Sequence, residues 1–277
     1  MEIVCASREW EVSRGIVAAR ASHRAFLCIS ALIFAVSAAL TILWCASMSS
    51  MGEMSMPGGW TMSMAWMRMP GQSWPGAAAS FFGMWEVMMV AMMLPSLVPM
   101  LWRYRNALDA AGSRIDGLVA LAGAGYFVVW TAIGVAAYPL GIALTSLTMR
   151  SPELARAVPF VVGVIVLAAG VIQFTSWKAH HLACCREVPV RDSASPANGR
   201  NAWRYGLRLG VHCALCSAGL TAILFVAGIM DLRAMAVVTA AITVERLAPD
   251  GARAARAIGA VTVAAGLLLI ARATGLA

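Results

Sequence analysis

The stretch GLVALAGAGYFVVWTAIGVAAYPLGIAL (117–144) decides the fold class, because it contains no charged residue. About 20 apolar residues in an α-helix are enough to cross the hydrocarbon core of a bilayer. The whole chain has the same character: of its 277 residues, 61% are hydrophobic and only 12% are charged. Soluble domains carry about 25% charged residues. The sequence therefore predicts an all-α, polytopic membrane protein that lies in a lipid bilayer.

Seven apolar segments are long enough to be considered as membrane spans. They cover residues 25–47, 81–102, 117–144, 158–177, 209–230, 232–248 and 256–272. Tryptophans at the ends of several segments resemble the aromatic belt of membrane proteins. The sixth segment is the weakest, because its run without a charge covers only 234–244, and a re-entrant hairpin is the alternative there. A bundle of about seven transmembrane helices is the prediction.

The basic residues predict the orientation of this bundle. The formal net charge is +8, but the arginines flank apolar segments, a pattern that reports membrane topology and not a nucleic-acid partner. With the N-terminus inside, 16 of the 21 Lys and Arg residues lie on the cytoplasmic side. The sequence predicts an N-in, C-out protein of the inner (plasma) membrane of a bacterium.

Four regions follow along the chain. We expect a basic cytoplasmic N-terminal segment (1–24), an uncleaved transmembrane anchor (25–47) and a Met-rich extracytoplasmic loop (48–80). A six-helix membrane domain (81–277) completes the chain and contains a cytoplasmic Cys/His loop (178–204). The first apolar segment is too long to be the apolar region of a signal peptide. The leader before it is also unlike the short basic region with which a signal peptide begins.

The Met-rich loop has an unusual composition. Eight of the 22 residues between Met48 and Met69 are methionine, and 14 of the chain's 18 methionines lie between Met48 and Met100. Methionine is flexible and specifies packing poorly, so a core would favour Leu, Ile and Val. Sulfur ligands select Cu(I). The run predicts soft copper ligands; the alternative is a membrane-interface loop in which methionine supplies apolar contact.

The second predicted helix continues this pattern. Met84, Met88 and Met92 are spaced four residues apart and so share one face of a helix. Such a stripe is either part of a core or a continuation of a copper path from the outer loop. Glu86 lies among these methionines, and a charged group inside a span is a candidate functional residue.

Two cysteines on the fifth predicted helix form the first candidate metal site. Cys213 and Cys216 are three residues apart, with His212 beside them, so both sulfurs lie on one helix face. The same spacing occurs in redox-active dithiols, and small buried cysteines without a chemical role are also common. A metal site, a redox pair and simple packing therefore all remain open.

A second group of ligands lies at the cytoplasmic end of the fourth predicted helix. If the helix continues, His180 shares a face with Cys184, and His181 shares a face with Cys185. The fifth helix enters from the same side, so the two groups can meet. The set His181, Cys185, Cys213 and Cys216 then predicts one soft-metal site for Cu(I), with zinc as the competitor. A solvated loop is the alternative.

Polar residues near this site are expected to support it. Glu245 ends the sixth segment at the same level and is either functional or paired with Arg246 or Lys178. Gln173 needs an interhelical partner. The supporting residues that we predict are Glu245, Glu86, Lys178, Gln173 and Arg186.

One stretch of the second helix is similar to a known family. The run WEVMMVAMMLPS (85–96) resembles the W-x-x-M-x-x-A-M-M-L-P-S signature of an uncharacterised family of predicted metal-binding integral membrane proteins. Three later stretches resemble further motifs of that family in the same order: QFTSWK (173–178) with Cys185-Arg186, GVHCALC (210–216), and Gly228-Ile-Met230 with Glu245-Arg-Leu. The resemblance covers roughly residues 80–270 and implies a membrane-embedded metal site.

The chain also departs from the family pattern. His181 stands where the family has its first loop cysteine, Ser217 replaces a cysteine of the fifth-helix motif, and Ala218 replaces a tryptophan. Histidine is still an adequate nitrogen ligand, so the implied metal site becomes less soft but is retained.

These observations lead to three functional hypotheses. The first is a membrane protein that binds Cu(I) and transfers it between the outer methionines and the inner Cys/His site, together with a periplasmic or cytosolic metal chaperone. The second is a membrane thiol–disulfide oxidoreductase using Cys213/Cys216 and Cys184/Cys185. The third is a non-catalytic assembly subunit with a structural metal. We do not expect an enzyme, and a homo-oligomer is compatible with the sequence.

Overall fold

The computed structural model describes residues 2–50, 54–62, 66–68, 71–108, 115–187 and 198–275. In this part of the chain there are eight helices and one short β-hairpin. The helices are α1 (Glu2–Ser50), α2 (Trp74–Ala107), α3 (Ile115–Arg150), α4 (Pro152–Ile172), α5 (Ser176–Arg186), α6 (Gly199–Ala227), α7 (Leu232–Leu247) and α8 (Gly251–Ala273). The hairpin strands are β1 (Met54–Met56) and β2 (Trp60–Met62).

Six of these helices are long and apolar enough to cross a membrane: Ala21–Met48 within α1, then α2, α3, α4, α6 and α8. Large apolar side chains project outward from them, for example Leu32 on α1 and Val261 on α8, as expected for helices that face lipid. The helical membrane-type fold is therefore confirmed. The weak sixth segment is α7, which has only 16 residues. The count of seven spans and the N-in, C-out orientation stay predictions.

The predicted fourth segment (158–177) consists of two helices and not one. Helix α4 ends at Ile172, and α5 begins at Ser176 after a new N-cap. The Thr175 side chain accepts a hydrogen bond from the Lys178 backbone N–H at 3.2 Å, which satisfies one of the free donors of a helix start. The Cys/His motif therefore lies on a separate short helix.

Close helix contacts at glycine hold the bundle together. A Cβ atom on Gly210 of α6 would lie 2.8 Å from the Tyr126 carbonyl oxygen of α3. A Cβ on Gly170 of α4 would lie 2.7 Å from the Val263 backbone nitrogen of α8. Only glycine fits at such positions, and small residues let helix backbones approach closely in lipid.

Helix α2 runs through the core of the bundle. All six of its methionines are buried: Met84, Met88, Met89, Met92, Met93 and Met100. Trp85 packs beside them and donates a hydrogen bond from Nε1 to the Trp130 carbonyl oxygen of α3 at 2.8 Å. The predicted methionine stripe is therefore part of the packed core.

The Met-rich loop lies over the end of the bundle where α4 begins. Strands β1 and β2 pair antiparallel, with Met56 opposite Trp60. Trp60 donates a hydrogen bond from Nε1 to the Ala155 carbonyl oxygen of α4 at 2.8 Å, and Trp66 packs against Phe81 and Phe225. Met51, Met64 and Met69 lie outside the described residues. The predicted loop (48–80) is shorter in the structure, because α1 continues to Ser50 and α2 already begins at Trp74.

Candidate metal centre

Two thiols from different helices meet at the contact between α5 and α6. Cys185 is completely buried and Cys216 is 3% exposed. Their sulfur atoms are 3.6 Å apart, and both cysteines are free thiols. In a tetrahedral zinc–thiolate site, where each sulfur lies about 2.3 Å from the metal, two sulfurs are about 3.8 Å apart. The two sulfurs therefore have a separation that a single soft metal ion can bridge with little movement.

The third buried thiol, that of Cys213, lies one helical turn before Cys216 on α6. Tyr126 of α3 donates a hydrogen bond from its hydroxyl to the Cys213 sulfur at 3.0 Å. Arg246 of α7 approaches the same sulfur with Nη1 at 3.2 Å. Cys213 also interacts with Cys216 through its side chain. Cys213 thus connects the pair of Cys185 and Cys216 to polar groups of α3 and α7.

Arg246 is an unusual residue in this position, because its side chain is only 1% exposed. Its Nη1 donates a hydrogen bond to the Ser96 hydroxyl of α2 at 2.8 Å. Among the described residues it has no carboxylate within ion-pair distance, and its Nε and Nη2 have no hydrogen-bond partner. A buried cation without an anion is costly. Negative charge on the neighbouring thiols would compensate it.

A buried ion pair fixes α5 to its neighbours. Lys178 of α5 contacts Glu245 of α7, with 2.6 Å between Nζ and Oε2, and also donates to the Cys216 carbonyl oxygen of α6. Gln173 donates from Nε2 to the other oxygen of Glu245 at 2.9 Å. Two partners were expected for Glu245; in the structure it pairs with Lys178 and not with Arg246. These contacts set the position of α5, and with it Cys185, relative to Cys216.

Two imidazoles form a second pair on the same helix contact. The Nδ1 atoms of His181 and His212 are 3.1 Å apart. Burial, and then the neighbouring His180, lower the pKa of His181 below its ordinary value. The neutral imidazole, which is the form that binds metal, is thereby favoured at neutral pH.

The remaining predicted ligands of α5 lie elsewhere. His180 Nε2 is 3.7 Å from Cys184 Sγ on the exposed side of α5, and the vicinal pair of Cys184 and Cys185 is split between an exposed and a buried face. Within the described residues, no three His, Cys, Asp or Glu side chains are grouped closely enough to hold one metal ion. Of the four ligands expected at a single site, Cys185 and Cys216 form a thiol pair, Cys213 lies beside Cys216, and His181 pairs instead with His212, which is outside that set of four.

The other predicted site residues lie around or away from these pairs. Arg186 donates from Nη2 to the Pro249 carbonyl oxygen at 3.3 Å, which ties the end of α5 to the turn before α8. Glu86 of α2 lies beside Thr131 of α3, and its Oε1 atom is buried with no hydrogen-bond partner among the described residues. Met84, Met88 and Met92 belong to the core of α2.

Three residues at the centre are not among the predicted site residues: Arg246 and Tyr126, which contact Cys213, and Ser96, which contacts Arg246. In the sequence, Arg246 stands as a possible partner of Glu245 and as part of the Glu245-Arg-Leu motif, but not as a contact of the cysteines. The signal that could have revealed it is its position beside Glu245 at the end of an uncharged helical run, where a charge is costly unless it has a function. Tyr126 gave no comparable signal, and Ser96 only as the last residue of the 85–96 motif, because their contact with the site depends on the packing of α2, α3 and α7.

Comparisons with known proteins bear on the metal that this chain handles. Residues 82–269 match the family model PpoB2, which is described as copper chaperone. Searches of curated proteins and of solved structures found no match. The matched region contains both pairs of candidate ligands and covers well over half of the chain. It supports copper as the metal and a role in copper handling, in agreement with the metal-related family that the sequence motifs resemble. The chain belongs to the PpoB2 family of copper chaperones.

Proposed function

We propose that this protein is a membrane copper chaperone that holds Cu(I) between the sulfur atoms of Cys185 and Cys216. The observation that carries the proposal is the 3.6 Å distance between two buried thiols supplied by two helices. Thiolate sulfur is a soft ligand and selects Cu(I) among the biological metal ions. Copper is here the cargo of the protein and not a catalytic cofactor.

Charge balance favours Cu(I) at this position. One Cu(I) ion with two thiolates carries a net charge of −1, and both thiols must lose their protons when the ion binds. Arg246 lies beside Cys213, is buried and has no carboxylate partner among the described residues. Its positive charge can compensate the metal–thiolate group. A neutral pair of thiols would leave this charge without compensation.

The proposed direction of copper movement rests on the types of ligand at the two ends of the bundle. The Met-rich hairpin contacts the start of α4 at Ala155, whereas Cys185 lies on α5, directly after the end of α4. Thioethers bind Cu(I) without losing a proton and do not form disulfides, which suits an oxidising exterior. Thiolates bind more tightly and suit a reducing cytoplasm. We infer that copper is captured at the outer methionines and moves inward to the thiols, in exchange with a metal chaperone.

Anaerobic titration of the purified protein with Cu(I), against a chromogenic Cu(I) chelator, tests the proposal. The variants Cys185→Ser and Cys216→Ser should each lose one tightly bound ion per chain. Cys184→Ser is the matched control, since it is the adjacent thiol on the other face of α5, and it should retain that ion. Unchanged tight binding in both buried-thiol variants would refute the proposal, and so would displacement of bound Cu(I) by an equal concentration of Zn²⁺.

The oxidoreductase hypothesis makes a different prediction in the same variants. It requires disulfides within Cys213/Cys216 and Cys184/Cys185, and it does not use the contact in which the Cys185 sulfur lies 3.6 Å from that of Cys216. Titration of free thiols under oxidising and reducing conditions separates the two functions. A copper site predicts that Cu(I) protects Cys185 and Cys216 from alkylation, while reversible oxidation of Cys213 with Cys216 would support the oxidoreductase.

A further inference from the structure

The imidazole pair and the thiol pair have a regular relationship. His181 lies four residues before Cys185 on α5, and His212 lies four residues before Cys216 on α6. Residues four apart share one face of an α-helix and are about 6 Å apart along its axis. Each helix thus contributes one imidazole and one thiol to the same contact. The two pairs are neighbours, separated by about one helical turn.

The imidazole pair has the geometry of a two-ligand metal site. In a tetrahedral zinc–histidine site, where each ring nitrogen lies about 2.0–2.1 Å from the metal, two ring nitrogens are about 3.3 Å apart. The Nδ1 atoms of His181 and His212 are 3.1 Å apart. Without an ion, one Nδ1–H can donate to the other Nδ1, so the same two nitrogens are oriented toward a common point. The rings of Trp177 and His181 pack in a T-shaped arrangement with centroids 4.8 Å apart, which restricts the orientation of the imidazole.

Exposure distinguishes this pair from the thiols. His181 and His212 are half-buried, whereas Cys185 and Cys216 are buried. With only two protein ligands, an ion at the imidazoles keeps coordination positions open for an incoming ligand, as in metal sites that exchange a ligand. The positive charge of Arg208 disfavours a cation at His212, and the negative charge of Glu187 favours one. Neutral nitrogen ligands of this kind bind Cu(I) less tightly than two thiolates.

We propose that His181 and His212 form a second copper site, at which Cu(I) passes between the buried thiols and a water-soluble carrier. The proposal rests on the proposed function, since it needs a thiol site to exchange with. The transfer is a ligand exchange: Cu–S bonds are replaced by Cu–N bonds, the thiols regain or lose their protons, and copper remains Cu(I). No oxidant or reductant is involved.

X-ray absorption at the copper edge can test the ligands directly, because it separates sulfur from nitrogen neighbours. Detergent-purified protein is loaded anaerobically with one and then two equivalents of Cu(I). With the second equivalent, nitrogen neighbours should appear in the wild type and in the control His180→Gln. They should be absent in the double variant His181→Gln/His212→Gln. The same nitrogen signal in the double variant, or none in the wild type, would overturn the proposal.

Transfer kinetics provide a second readout that does not depend on counting ions. Protein loaded with one equivalent is mixed with a water-soluble Cu(I) chelator, and the rate of copper release is followed. Loss of both imidazoles should slow release at least about tenfold, by analogy with the cost of disturbing a metal's ligands. His180→Gln should release copper at the wild-type rate. Equal rates in all three proteins would refute an exchange site.

The two proposals fail in distinguishable ways. If the thiol site is wrong, Cys185→Ser and Cys216→Ser keep the first, sulfur-bound ion. If only the imidazole site is wrong, those variants lose the first ion as expected, but the double histidine variant matches His180→Gln in both ligand composition and release rate. Far-ultraviolet circular dichroism and size-exclusion chromatography establish that each variant is folded.

Discussion

Sulfur is concentrated in two regions of this molecule, and the two regions differ in what surrounds it. The thioethers of α2 pack among apolar side chains such as Trp85 and Trp130. The thiols of α5 and α6 lie among buried charged and polar groups: Lys178, Glu245 and Arg246. Buried charges are costly in a membrane protein and are retained where they have a function. The comparison favours the thiol region as the chemical site and the α2 methionines as packing.

The buried ion pair of the thiol region provides the largest expected effect. Glu245→Ala leaves Lys178 as an uncompensated buried charge, which should lower the free energy of unfolding by about 3–5 kcal/mol. Thermal unfolding in detergent measures this loss. Glu187→Ala, at the exposed end of α5, is the control and should change stability by no more than about 0.5 kcal/mol.

A double variant removes the charges together. Replacing both Lys178 and Glu245 by Met should recover much of the lost stability, because no unpaired charge remains. If Glu245→Ala costs no more than Glu187→Ala, the ion pair does not hold α5 in place. The thiol region would then resemble the α2 region energetically, and the comparison would fail.

Replacement of Arg246 should affect the affinity for Cu(I) but not the stability of the fold. Its Nε and Nη2 have no partners among the described residues, so Arg246→Met should leave stability unchanged or raise it. The same variant should lower Cu(I) affinity at least about tenfold, because the metal–thiolate charge loses its compensation. Competition against a Cu(I) chelator measures this, with the exposed Arg253→Met as control. Wild-type affinity in Arg246→Met would remove Arg246 from the copper site.

The methionines of α2 should show the smallest effect. As core residues, Met84, Met88 and Met92 tolerate replacement by Leu at a cost below about 1.5 kcal/mol each. The triple variant should fold, and Cu(I) should reach the inner thiols in membrane vesicles at the wild-type rate. Slower loading of the thiols, with unchanged affinity, would instead support the hypothesis that these methionines form part of a copper path.

Much of this architecture could be predicted from hydropathy. The apolar segments correspond to helices because, in lipid, backbone hydrogen bonds must be satisfied within the segment. The break between α4 and α5 was not predicted, although Thr175 is a good N-cap residue, because the apolar run up to Trp177 gave the stronger signal. The shortness of α7 was foreseen, since Arg233 and Glu245 bound its uncharged run.

The candidate site was predictable as a set of residues but not as an arrangement. Spacing along α5 correctly related His180 to Cys184, which lie in contact. The partners across helices depend on packing, and no local pattern could show that Cys185 meets Cys216 or that His181 meets His212. The methionines were the most conspicuous feature of the sequence, yet helical spacing alone does not distinguish a core stripe from a ligand path.

X-ray absorption of the protein with one equivalent of Cu(I) tests the central claim most directly. The account predicts a copper ion with only sulfur neighbours in the wild type and in Cys184→Ser. Cys185→Ser and Cys216→Ser should each have one sulfur neighbour fewer at the same copper loading, or fail to retain the ion. An unchanged set of sulfur neighbours in both of these variants would contradict the claim that Cys185 and Cys216 hold copper between them.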